Sequence, residues 1–129
     1  MIRKLAWLHI ERRRLLCART DGRKTFYVPG GKPETGESDL DALGREIREE
    51  LGVSLIPTSL AFHGHFEAPA DGKPGLAVAV DAWEGRCDGT PAPSGEIAEL
   101  RFLAASDAAP VSAVTRLILD SLKADNVID

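Results

Sequence analysis

Three glutamates, Glu46, Glu49 and Glu50, recur at spacings of three and four residues in a stretch whose apolar residues have a helical period. At 100° per residue they fall within about a third of the helix circumference, beside the apolar stripe. Like charges so placed destabilise a helix by roughly 0.2–0.5 kcal/mol per pair, and carboxylates in its C-terminal half also oppose the dipole. A helix gains nothing from this arrangement. A hard divalent cation makes it favourable, because Mg²⁺ takes carboxylate oxygens in octahedral geometry and keeps waters for a phosphate-bearing substrate. Arg45, one turn before Glu49, is placed to hold that carboxylate, and Glu37 stands in the loop just ahead. The competing reading is a solvated acidic face with no ligand.

The element that must position these groups runs from Gly31 to Val53, GKPETGESDLDALGREIREELGV. It begins as a turn-forming loop containing Gly30, Gly31, Pro33 and Gly36. Ser38 is a helix N-cap, with Asp39 and Asp41 placing negative charge in the first turn. Gly52 is the C-terminal stop. Leu40, Leu43, Ile47 and Leu51 define a face to be buried.

At every defined position this stretch resembles the Nudix box. Glycine, five residues, glutamate, seven residues, then arginine, glutamate, an aliphatic, any residue, two glutamates, any residue, glycine and an aliphatic are filled by Gly31, Glu37, Arg45, Glu46, Ile47, Glu49, Glu50, Gly52 and Val53. A chance match in one chain is on the order of 1 in 10⁷, so the resemblance carries weight. It implies the Nudix fold, an α/β/α sandwich with a mixed β-sheet between helices. It also implies an enzyme, a pyrophosphohydrolase using Mg²⁺, or Mn²⁺ in its place, to cleave a nucleoside diphosphate linked to some moiety X. Glu49 and Glu50 are then the main metal ligands, with Glu46 a further ligand or the base. The backbone carbonyl of Gly30 joins the metal shell, Arg45 orients Glu37 and the glutamates, and Gly31, Glu37 and Gly52 support the motif. Gly44, where the family often has alanine, is a mild departure. Family members are often homodimers, although nothing in this sequence marks a seam.

Length and composition set bounds around that motif. A chain of 129 residues is read as one domain, residues 1–129. The net charge of −4 argues against a nucleic-acid surface and leaves metal ions to supply positive charge toward phosphates. The two cysteines, Cys17 and Cys87, are read as buried free thiols in a reducing compartment. No signal core or membrane-length run is present, and a cytoplasmic protein is the expectation.

Arg3 to Ile10 alternates as a strand, with Leu15 to Arg19 as its partner across a charged turn of Arg12, Arg13 and Arg14. That basic triplet is read as a solvated turn rather than a phosphate clamp. A short strand, Thr25 to Val28, carries Phe26 and Tyr27 on opposite faces, Phe26 for the core and Tyr27 open to base stacking. Between Leu55 and Glu67 the period puts Leu60, Phe62, Gly64 and Phe66 on one face and Ala61, His63, His65 and Glu67 on the other. A solvated or hydrogen-bonded role for the two histidines outweighs metal binding, since a fourth ligand is lacking. Gly75 to Glu84 reads as a central strand, apolar on both faces. Pro110 to Lys123 is a packing helix with Val111, Val114, Leu117, Ile118 and Leu122 inward, and Ser112, Thr115 and Arg116 toward a nucleoside.

The irregular stretch Gly85 to Gly95 leads to Glu96. Many Nudix enzymes carry a further glutamate before the following strand, so the resemblance assigns Glu96, with Glu99 second, as metal ligand or general base. A compact chain resembles the small members that convert nucleoside triphosphates, including oxidised ones, to monophosphate and pyrophosphate. Pro69 keeps ADP-ribose or a nucleotide sugar as the alternative substrate, and a non-catalytic nucleotide-sensing module is the second alternative.

Overall fold

A computed structural model describes all residues, Met1–Asp129. In chain order the elements are β1 (Ile2–Leu8), β2 (Ile10–Glu11), β3 (Arg14–Thr20), β4 (Phe26–Tyr27), β5 (Gly30–Gly31), α1 (Asp39–Leu51) and β6 (Ser54–Leu55). After a 3₁₀ turn at Pro57–Ser59 come β7 (Ala61–Pro69), β8 (Ala77–Glu84), β9 (Cys87–Asp88), β10 (Ile97–Leu103) and α2 (Ala113–Ala124).

The expected mixed sheet is present, in the order β5-β1-β8-β7, with β1 parallel to β8 and the other pairs antiparallel. The remaining long strands form a second, antiparallel sheet, β10-β3-β2, with β4 on β3. This corrects the expected hairpin of the first two runs. The chain breaks at His9, and only Ile10–Glu11 pairs with β3, while β1 lies in the other sheet. Burial on both faces explains it. Leu5 and Trp7 join the core under α1, whereas Ala6 and Leu8 join the core under α2. A strand covered on both sides suits the middle of a parallel pair, and its partner β8 lies far along the sequence. β3 divides the same way, Leu16 toward α1 and Leu15 and Cys17 toward α2, so the layers are helix, sheet, helix.

The two-residue tip at Arg12 and Arg13 has φ of 50° and 63°, the geometry of a hairpin whose twist matches its strands. Arg13 is not merely solvated. Its guanidinium donates to Asp129 Oδ1 at 2.7 Å and to the Asn126 carbonyl at 3.0 Å, tying down a tail whose Ile128 is fully buried.

Helix α1 has the predicted caps: Ser38 Oγ accepts from the Asp41 N–H, and Gly52 sits at φ 68°. Leu43, Ile47 and Leu51 are buried as expected, but Leu40, in the first turn, is exposed, and Ala42 is buried as well. On α2, Leu117 is likewise exposed while Leu119 is buried. In β7 the alternation fails, because a register shift between Phe62 and Gly64 leaves Phe62 exposed, its ring edge-on to Trp83 at 5.4 Å. No helix is long and apolar enough to cross a membrane.

Candidate active site

Strand β5 is only two glycines, and both are needed. A Cβ on Gly30 would overlap the Leu5 carbonyl of the paired strand, and one on Gly31 would overlap the Glu46 carboxyl group. Gly30 also has φ of 148°, which side-chain-bearing residues avoid. The bare backbone thus lets α1 lay two of its carboxylates directly on the edge of the sheet. Glu46 covers Gly31, and Glu50 Oε1 accepts from the Gly30 N–H at 3.1 Å.

Glu50 is the group most altered by this placement. Burial, and then the negative charges of Glu46 and Glu49, push its carboxyl up to about 7, against the Gly30 hydrogen bond and the charge of Lys4. Glu49 is exposed. Arg45 spans the group. It donates from Nε to Glu37 Oε2 at 2.8 Å, from its terminal nitrogens to Glu37 Oε1 at 3.0 Å and Glu46 Oε1 at 3.0 Å, and to the Lys32 carbonyl at 3.2 Å. It also pairs with both Glu49 oxygens, as expected, but at 3.5 Å, so its contacts with Glu37 and Glu46 are the closer ones. Arg45 and then the Glu34 N–H hold the Glu37 carboxyl down to about 2.

No three acidic or imidazole side chains are gathered into one coordination shell here, since Glu46 turns toward Arg45 and Glu49 toward solvent. The donor chemistry still fits a hard cation. Oxygen ligands lie against bare backbone, and a half-buried carboxylate with two like-charged neighbours lacks any side-chain counter-ion of its own.

The loop before β10 has a defined job. The N–H groups of Ser94 and Ala92 donate to the carbonyls of Glu50 and Leu51 at 2.9 and 3.1 Å, satisfying the end of α1. Glu96 follows directly and is exposed, with no side-chain partner. It lies with Glu50 and Glu46 within electrostatic reach of Tyr27, whose hydroxyl is 2.7 Å from Thr20 Oγ1. Glu99 instead pairs with Arg101 at 2.9 Å and Arg19 at 3.2 Å.

Beside β5 opens a cavity of about 440 Å³. Its floor is apolar, with Val78, Val80 and Ile118, and Tyr27, Ser112 and Thr115 line it as the sequence suggested, while Phe26 is in the core. Arg116 does not reach it and donates to the Ala105 carbonyl at 2.8 Å. The histidines lie elsewhere. His65 sits between Asp81 and Glu67 at 2.7 Å each, and His63 is 3.5 Å from Glu84. Sequence reasoning passed over Lys4, which also lines the cavity. Its one signal is a charged residue in phase with Ala6 and Leu8.

The sequence matches the family profile described as NUDIX domain over residues 5–122. Over 50 residues it is 46% identical to the nucleoside triphosphatase NudI of Escherichia coli, an alignment spanning 36% of this chain and 36% of that protein. Over 43 residues it is 40% identical to the mouse (Mus musculus) 8-oxo-dGDP phosphatase NUDT18, spanning 33% of this chain and 13% of that protein. Less than two thirds of either relative's length is therefore aligned. Among solved structures, the MutT NUDIX hydrolase of Burkholderia pseudomallei superimposes with a TM-score of 0.78 at 21% identity, covering 92% of this chain and 95% of that one. The E. coli ORF135 protein gives 0.75 at 24%, covering 100% and 95%. At such identities the likeness establishes a shared fold.

Proposed function

This chain belongs to the NUDIX domain family, and from that premise we propose that its residues 1–129 act as one metal-dependent hydrolase domain whose substrate is a nucleoside triphosphate, split to the monophosphate and pyrophosphate. The observation that carries this reading is the pair of glycines, which line the cavity and have Glu46 and Glu50 laid directly against their backbone. Such a mouth suits a phosphate chain, and the apolar floor behind it suits a nucleobase.

Glu46, Glu49 and Glu50, with the Gly30 carbonyl, would hold Mg²⁺ or Mn²⁺, which when bound lowers the pKa of water and neutralises charge on the phosphate oxygens. In the reaction the water oxygen joins phosphorus, the bridging P–O bond breaks, and the water proton is taken by a carboxylate. Glu46 and Glu96 compete for that last role, and the ion pairs of Glu99 make it the weaker choice. Arg45 fixes Glu37 and Glu46, so that the loop before α1 and the helix move as one piece.

The short matches to a nucleoside triphosphatase and an 8-oxo-dGDP phosphatase support a nucleotide substrate, modified purines included. ADP-ribose or a nucleotide sugar is the second reading, favoured by Pro69 in the cavity wall. The unpaired thiols of Cys17 and Cys87 fit a cytoplasmic setting. The test is Glu50→Gln, which should remove nearly all turnover while the melting transition persists; an unchanged rate would refute the assignment.

A further inference from the structure

All fourteen ion pairs of this protein use arginine or histidine on the basic side, and none uses lysine. Three of the unpaired lysines converge on one place. Lys4 on β1 and Lys73 in the loop between β7 and β8 both line the cavity. Lys32 follows Gly31, and because Leu5 pairs with Gly31 in antiparallel register, Lys32 lies just past the end of that ladder on the Lys4 side.

Three ammonium groups brought together in a protein of net charge −4 repel one another. None of the three donates a side-chain hydrogen bond, and none has an ion-pair partner, so no fixed contact within the protein accounts for their grouping. Asp71 is the carboxylate at that end of the cavity, and its Oδ1 is engaged by the Ala113 N–H at 3.3 Å. What relieves the repulsion is a ligand with several negative charges along its length.

We propose that Lys4 and Lys73, with Lys32 beside them, form the receptor for the terminal phosphates of the substrate and so select a nucleoside triphosphate over nucleotides whose X group is uncharged. The glutamates would hold the cation that serves the scissile phosphate, and the lysines would meet the negative charge beyond it. The proposal rests on the phosphohydrolase reading above for its substrate, but not for its binding test.

That test is calorimetric titration of the whole protein with inorganic tripolyphosphate in Mg²⁺, a probe with no base and no nucleoside. In Lys4→Gln/Lys73→Gln the affinity should fall by about tenfold or more, while Lys123→Gln, a charge loss on α2, changes it by less than about twofold. In steady-state assays the double variant should raise KM for a nucleoside triphosphate by a similar factor and leave kcat within about twofold. Equal affinity in wild type and double variant, or no binding by wild type, overturns the receptor. If tripolyphosphate binding depends on the lysines but no nucleotide is hydrolysed, the receptor stands and the hydrolase reading falls. Triphosphate turnover with an unchanged KM in the double variant has the opposite meaning.

Discussion

Arg45 and Glu37, eight residues apart, face each other fork to fork, with Nε to Oε2 at 2.8 Å and a terminal nitrogen to Oε1 at 3.0 Å. The pair closes the loop ahead of α1 against the helix. A third bond, from the same guanidinium to Glu46, then fixes a carboxylate of the site. Lysine keeps the charge but cannot make the planar double contact. Arg45→Lys should therefore lower kcat/KM by about 10- to 100-fold, as loss of a group that orients metal ligands does. Steady-state kinetics on the folded variant checks this, and a rate near wild type would show that Glu46 needs no such support.

Metal binding should be coupled to a proton. In the metal-free protein Glu50 titrates at about 7, above its ordinary 4.5, so below that pH a cation must displace a proton from it. Mg²⁺ affinity should fall as pH drops through about 7. Titrations near neutral pH in two buffers of different ionisation heat should report proton release, and its absence would mean that Glu50 is not a ligand. The same shift has a stability consequence. A raised carboxyl pKa contributes stability that is fully present below 4.5 and is lost as pH rises through about 7. Glu50→Gln should flatten that part of the metal-free melting profile.

The inward face of α2 predicts unequal effects from two neighbouring sequence positions. Leu119 is completely buried against the large core and Leu117 is 42% exposed. Leu119→Ala should cost about 2–5 kcal/mol and Leu117→Ala less than about 0.5 kcal/mol. Chemical denaturation measures both, and a reversal would mean that the helix is rotated from the position described.

Much of the site was legible because its determinants are local. The caps at Ser38 and Gly52, the acidic first turn and the spacing of Glu46, Glu49 and Glu50 lie within one helix and its flanks, where short-range chemistry decides the geometry. The partner of β1 was not legible, because alternation specifies a strand and its faces but not which distant strand it pairs with. β8 begins at Ala77, beyond the whole motif. Phe62 was misplaced for a related reason: one irregular residue pair shifts every later side chain to the other face. Leu117 lies at the edge of its helical stripe and Leu40 in the first turn of α1, places where only the neighbouring element decides burial. Arg13 and the loop at Ala92 and Ser94 find their partners at the chain's end and on α1, contacts that no local pattern encodes.

The most direct measurement is product analysis for a panel of nucleoside triphosphates, oxidised purine triphosphates, ADP-ribose, nucleotide sugars and dinucleoside polyphosphates, with Mg²⁺ and with chelator. A triphosphate should give pyrophosphate and monophosphate, with turnover abolished by chelator. Release of a sugar phosphate from ADP-ribose, with no triphosphate turned over, would contradict the substrate. Silence across the panel in folded protein would contradict the proposed hydrolysis itself.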